Sequence, residues 1–280
     1  MSDEIQRQAL SYTTVADAYD RARPSYPPEA AQWLTGSGRS VVLELGAGTG
    51  KMTSVLLGLG HTVIASDPLP QMLGHVGRNA PEAHRVVATA EHIPLPSASV
   101  DVVVCAQSFH WFNHDQALPE IARVLRPGGV LALVWNRRDQ SIPWVRKLVA
   151  LIGDGDQTEG LTEPLIESEH FGWVDEKEFR NWSKHTHETL ADLVRSQSAF
   201  AMLYEDRQAS LLAAVDALYA DYGRGHDGML LPFRTSCFRA VVQKRDREPQ
   251  REPISPALDQ PKPRPAPPPQ EPDTLLIDFK

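Results

Sequence analysis

The chain has 280 residues, 41% of them hydrophobic, which is enough for one large core or two small ones and excludes a small disulfide-stapled scaffold. Its formal charge is −8 with no polybasic block, which argues against an extended phosphate-tracking surface and for a small-molecule partner rather than bulk nucleic acid. Met1 to Gln6 is acidic and polar where a secretory signal is basic and then apolar, and no window is apolar enough to span a membrane. Cys105 and Cys237 lie in strand-like apolar runs suited to buried thiols, so a cytoplasmic protein without a membrane segment or a metal cluster is expected.

In chain order, Thr14-Val15-Ala16-Asp17 reads as a capped helix start, followed by Tyr19, Arg21, Arg23 and the stiff Pro24-Ser25-Tyr26-Pro27-Pro28. This segment precedes the first strand and is either a packing arm or a lid that turns Tyr19, Arg23 and Tyr26 toward a ligand. Val41 to Leu45 is then a short apolar run holding one acid, Glu44. Gly46, Gly48 and Gly50 follow, then a helical run from Lys51 to Leu59. Strand, tight turn and helix are expected, and the glycines let the backbone take positive φ and let a ligand approach the main chain. In open parallel sheets this crevice holds nucleotide-like ligands. Thr62 to Asp67 is a second β-branched run closing on an acid about twenty residues downstream, placed to accept both hydroxyls of a ribose.

The glycines are spaced G-x-G-x-G with an acid two positions ahead, unlike the dinucleotide pattern G-x-G-x-x-G. In this the sequence resembles the class I S-adenosylmethionine-dependent methyltransferases, whose first motif is E-x-G-x-G-x-G and whose second strand ends in a ribose-holding acid. The resemblance implies S-adenosyl-L-methionine as cofactor. Gly46 and Gly48 would line its methionine end, Asp67 its ribose, with Glu44 and Gly50 also among the cofactor residues. It favours the lid reading of the N-terminal segment.

From Val41 strands and helices alternate, over Val41–Leu45, Lys51–Leu59, Thr62–Ser66, Leu69–Arg78, Arg85–Ala88, Val100–Ala106, His114–Leu125 and Val130–Trp135, which predicts a parallel sheet with right-handed crossovers. Asn113 reads as a helix cap and Pro127-Gly128-Gly129 as a helix stop. Thr89-Ala90-Glu91-His92-Ile93-Pro94 resembles the family's D-A-E-x-L-P loop, which implies that Thr89, Ala90 and Glu91 border the adenine, with a threonine where many members carry an acid. After the fourth strand, Gln107-Ser108-Phe109-His110-Trp111-Phe112 lies where substrate groups usually sit. His110 is a candidate general base, and Phe109 and Trp111 candidate ring faces for a sulfonium. The alternative reading is an aromatic run that packs helix to sheet around a structural histidine. The run Q-x-F-H-W-F followed by L-R-P-G-G (Leu125 to Gly129) resembles the trans-aconitate-methyltransferase-like branch.

Arg137 and Arg138, ending the fifth strand, read either as a clamp for a substrate carboxylate or as a solvated turn. Further on, Ile142–Ile152 is helical, Asp154 to Gly160 a loop, Lys177–Thr189 strand-like and Leu190–Ala201 helical. Asp206–Tyr222 is an amphipathic helix, and Leu230 to Val242 a last strand with Pro232 at an edge or bulge. His185 and His187 would share one strand face, without an evident third metal ligand. The resemblance implies a doubly wound Rossmann-like α/β sheet of seven strands in the order 3-2-1-4-5-7-6, the last antiparallel, with helices on both faces. The expected methyltransferase domain is 1–242, with a lid over 1–35 and a core over 36–242. From 243 to 280 the composition turns proline-rich with balanced charges, reading as a disordered tail that is either inert or a peptide-docking arm.

The implied activity is methyl transfer to a small acceptor, a carboxylate, hydroxyl or amine. Two other classes stand beside it. One is a noncatalytic S-adenosylmethionine-binding or adaptor protein presenting its proline-rich tail. The other is an NAD-dependent oxidoreductase, which would normally show G-x-G-x-x-G and a hydride-transfer constellation absent here.

Overall fold

The computed structural model describes Asp20 and residues 22–153, 160–197, 200, 202–223 and 228–243. Tyr19, the start of the expected lid, most of the 154–160 loop and the expected tail beyond Gln243 lie outside the described residues.

Among the described residues one seven-stranded sheet forms from β1 (Val41–Leu45), β2 (Thr62–Asp67), β3 (His84–Val87), β4 (Val100–Ala106), β5 (Leu125–Arg138), β6 (Phe171–His185) and β7 (Met229–Val242). Its order is 3-2-1-4-5-7-6, with β1 to β5 parallel and β7 antiparallel to both neighbours, as the family resemblance implied. The helices are α1 (Pro28–Thr35), α2 (Lys51–Gly58), α3 (Pro70–Asn79), α4 (His114–Val124), α5 (Pro143–Ile152), α6 (Glu163–Ile166), α7 (His187–Arg195) and α8 (Glu205–Tyr222).

The central strands are apolar on both faces, and their alternation sorts them into two cores. Leu43, Leu45, Val103, Cys105, Leu131 and Leu133 face Ile121 and Val124 of α4. Val42, Val102, Val104, Ala132 and Val134 face Ala30, Ala31 and Leu34 of α1 and Met52 and Leu56 of α2. A strand buried on both sides is what a parallel sheet covered by crossover helices requires. A third cluster joins α5, α7 and α8 to Met229, Leu231 and Phe233 at the start of β7, and Val215 and Leu218 are its buried residues on α8.

Two boundaries differ from the sequence reading, while Pro232 stands at the edge position expected of it. The strand expected to run to Thr189 ends at His185, and α7 begins at His187, because Thr186 and Thr189 close a reciprocal capping box between their hydroxyls and backbone amides. His185 therefore ends a strand and His187 starts a helix, so they do not share a strand face. The helix before Pro127 stops at Val124, but the chain passes directly into β5. Leu125 pairs with Val100, residues 126–129 bulge outward, and pairing resumes at Val102 with Val130. Pro232 lies where β7 leaves β5: the last pair is Arg138 with Phe233, and the Asp139 amide donates to the Pro232 carbonyl at 3.0 Å. Its missing N–H falls on the side where pairing has already ended.

The chain runs outward from β1 through β2 to β3 on one side and from β4 to β5 on the other. The carboxyl ends of β1 and β4 thus flank the switch point at which open α/β sheets bind ligands.

Candidate active site

The turn after β1 uses its three glycines for two different reasons. All have positive φ, +72° at Gly46, +55° at Gly48 and +88° at Gly50. A Cβ on Gly46 would stand 2.5 Å from the Ser108 Cβ, and one on Gly50 would stand 3.3 Å from the Val76 backbone. Around Gly48 nothing lies within 4 Å of such a Cβ. Gly46 and Gly50 are small so that neighbouring elements can close in, whereas Gly48 leaves open space beside the main chain. The amides of Gly46 and Ala47 both donate to the Ser66 carbonyl, at 2.8 and 2.9 Å, which fixes the turn against β2.

Asp67, at the carboxyl end of β2, is buried and accepts from the Gly48 amide and the Leu69 amide, each at 2.9 Å. Burial raises its pKa, and these two amide bonds oppose the rise. Glu44, in the middle of β1, lies beneath the turn and accepts from the Thr53 hydroxyl of α2 at 2.5 Å. Burial pushes its pKa up to about 8, a rise that the Thr53 bond opposes and the nearby Asp67 charge increases. At neutral pH Glu44 is therefore mostly protonated. Its carboxyl ties β1 to α2 through Thr53. The Thr49 hydroxyl, in the same turn, is buried without a hydrogen-bond partner.

The 89–91 loop is held from outside. Ala90 is buried, Thr89 forms an isolated bridge with His92, and the Glu91 carboxylate accepts from the Asn113 amide at 2.8 Å, tying the loop to the start of α4. Arg123 reinforces it through the carbonyls of Ile93 and Leu95.

The turn after β4 begins with Gln107 at φ +59°, a left-handed conformation that a side chain seldom adopts and that recurs at functional sites. Its amide donates to the Val134 carbonyl and its side chain to the Asn136 carbonyl, at 2.9 and 3.3 Å. The Ser108 hydroxyl donates to the Leu45 carbonyl at 2.6 Å, fastening this turn to the glycine turn. Phe109 is fully buried in the α4 core, so it does not present a ring to the cleft as the sequence suggested. His110 and Trp111 are half-buried, with ring centroids 4.7 Å apart. Burial first, and the neighbouring His114 second, lower the His110 pKa to about 4, and its Nδ1 is buried without a partner.

The described part of the N-terminal segment crosses above these turns. At one end the Asp20 carbonyl accepts from Lys51 at 2.6 Å, and its carboxylate accepts from Asn79 at 3.1 Å, beside the glycine turn. At the other end the Ser25 carbonyl accepts from Asn136 of β5 at 3.2 Å and from Asn181 of β6 at 2.7 Å. Between them Arg23 donates to the Ser196 hydroxyl at 3.3 Å. Tyr26 is buried with α1 and α2 and is a packing residue of this segment. Asp20 and residues 22–25 thus form a roof anchored on both halves of the sheet.

Arg137 and Arg138 do not form a clamp, because neighbours on a strand point to opposite faces. Arg137 pairs with Glu178 at 3.3 Å and bonds the Ser236 hydroxyl, while Arg138 is buried on the other face. His187 pairs with Asp216 at 2.9 Å. Sequence reasoning missed Asp20, Lys51, Ser108, Asn136 and Asn181. Lys51 directly after the third glycine was the one available signal, since the other anchors come together only through the sheet order.

A turn of this kind, an acid ending β2 and a switch-point crevice under a roof define an α/β cofactor-binding fold. A methyltransferase-domain family model matches residues 43–133. An uncharacterised methyltransferase of Mycobacterium bovis is 42% identical over 238 residues, covering 84% of this chain and 96% of the relative. One from Schizosaccharomyces pombe is 37% identical over 216 residues, covering 74% and 85%. A solved candidate type II methyltransferase from Anaeromyxobacter dehalogenans is 26% identical with a TM-score of 0.57, covering 79% of this chain and 96% of that one. The chain belongs to the class I S-adenosylmethionine-dependent methyltransferase family.

Proposed function

We propose that the protein transfers a methyl group to a small-molecule acceptor, a carboxylate in preference to a hydroxyl or amine. The observation that carries the cofactor site is the open space at Gly48 beside the buried carboxylate of Asp67. The orphaned polar atoms of Thr49 and His110 on either side fit a polar ligand there. When bound, S-adenosylmethionine supplies an electrophilic methyl group on a positively charged sulfur.

In this reading Gly46, Gly48 and Gly50 shape the methionine end, Asp67 accepts from the ribose hydroxyls, and Thr89, Ala90 and Glu91 border the adenine. Glu44 supports the turn, and Trp111 offers a ring face toward the sulfonium. The roof excludes water and holds the acceptor in line, which is most of what methyl transfer asks of a protein. His110, with its pKa near 4, stays neutral at physiological pH and is a weak base. It suits an acceptor with no proton to lose, which favours a carboxylate. Arg23, held by Ser196, is the proposed acceptor-side residue, while Tyr26 is packed against α1 and α2 and Arg137 is committed to Glu178.

Calorimetric titration with S-adenosylhomocysteine and with NAD, on the native chain and on Asp67→Ala, tests the reading. Micromolar binding of S-adenosylhomocysteine alone, weakened about tenfold or more by the substitution, is expected from the loss of charge-assisted hydrogen bonds. No binding, or binding of NAD alone, would sink it. A screen of carboxylate, hydroxyl and amine acceptors with labelled methyl donor then tests the acceptor class.

A further inference from the structure

β6 forms one edge of the sheet. It is a 15-residue strand, and among the described residues no strand pairs with its outer side. The backbone direction follows from one bond. Because the Asp139 amide donates to Pro232, the even-numbered residues of β7 face β5 and the odd-numbered ones face β6. Phe233 opposes Asn181 and Thr235 opposes Phe179, so the odd residues of β6 bond to β7, and the amides and carbonyls of Val174, Glu176, Glu178, Arg180 and Trp182 point outward. The Trp182 amide is covered by the Asn181 side chain at 2.9 Å, which closes the open run at that end.

An open edge of this length is ordinarily blunted by charge or by a bulge. Here the charges do not blunt it, because they complement themselves. We propose that two copies join antiparallel through β6, with Glu178 opposite Glu178 at the two-fold axis. This register places Glu176 opposite Arg180 twice and Val174 opposite Trp182 twice, on one face of the joined sheet. Neither Glu176 nor Arg180 makes an ion pair within the described chain, so both are available to the partner copy. The central glutamates meet as neutralised groups, since each is already held by Arg137 at 3.3 Å and Arg234 at 2.9 Å. Moving the axis by one residue to Phe179 would set Glu178, already held by Arg137 and Arg234, against Arg180 and leave Glu176 opposite Trp182 without a charge partner. Moving it to Lys177 would set Glu176 against Glu178. Trp173, 86% exposed beside the bulge at the start of β6, and Trp182, 55% exposed, flank the paired segment as apolar ends.

Sedimentation velocity of the full chain over a concentration series tests this. A reversible dimer is expected, converted to monomer by Arg180→Glu, which sets glutamates against each other in both pairs. It is expected to return in the double variant Glu176→Arg with Arg180→Glu, where the pairs reform with signs exchanged. Concentration-dependent hydrogen exchange should slow at the amides of Glu176, Glu178 and Arg180. A wild-type chain that stays monomeric at every concentration overturns the proposal. So does a dimer that survives Arg180→Glu, or one that the double variant fails to restore.

Discussion

Gly46 and Ser108 are packed so closely that the turns after β1 and β4 behave as one piece, joined by the Ser108 hydroxyl on the Leu45 carbonyl. This separates the two glycines most easily confused in the sequence. Gly46→Ala combines a left-handed backbone with a steric clash and should cost about 2–4 kcal/mol in urea unfolding. Gly48→Ala meets only the backbone penalty of about 1–2 kcal/mol, so it should stay folded. Its methyl group enters the space proposed for the ligand, and calorimetry should show S-adenosylhomocysteine affinity falling at least about tenfold.

Glu44 makes stability fall with rising pH. Its folded pKa of about 8 lies above the unfolded value of 4.5, so its contribution is full below 4.5 and is lost as pH rises through 8. The slope from this group is about 1.4 kcal/mol per pH unit inside that window. Glu44→Gln removes the titrating proton while keeping the shape, and urea titrations from about pH 5 to about pH 8 should show the fall flattened.

His185 acts in the opposite sense. It is 1% exposed at the end of β6, and burial, against a weak contact to the Thr189 backbone, lowers its pKa from 6.5 to about 4. The unfolded chain therefore takes up the proton first. Stability from this group is full above 6.5 and is lost as pH falls toward 4. His185→Leu should reduce the acid slope measured by thermal unfolding while leaving S-adenosylhomocysteine binding intact.

Asn136 gathers three elements. It donates to Ser25, and its side-chain oxygen accepts from Thr235 at 2.6 Å and from Asn181 at 3.3 Å. Asn136→Ala strands these buried groups and should cost about 1–3 kcal/mol. The informative measurement is hydrogen exchange in residues 22–27, which should speed up more than the sheet core does. Equal loosening of roof and core would mean that the residue supports the sheet alone.

The sheet was legible because its residues carry local signals. Val41–Leu45 and Val100–Ala106 are apolar runs, each broken by one acid, and the structure gives β1 and β4 those limits. The glycine turn was legible as a turn, but not the division of labour within it, which depends on Ser108 and Val76 arriving from distant parts of the chain. The end of β6 was misplaced because Ser183 to Thr189 holds no apolar residue whose spacing would mark where strand gives way to helix. The signal against it was the pair Thr186 and Thr189, a capping box without its usual glutamate. The paired arginines failed as a clamp by simple strand geometry, which was readable from the sequence. The roof anchors were not readable, since Ser25 meets Asn136 and Asn181 only after β7 has been inserted between β5 and β6.

The described N-terminal residues are pinned at three separate places, Asp20 on Lys51 and Asn79, Arg23 on Ser196, and Ser25 on Asn136 and Asn181. No single bond therefore decides where this stretch lies, and a substitution at one anchor leaves the other two to hold it in register.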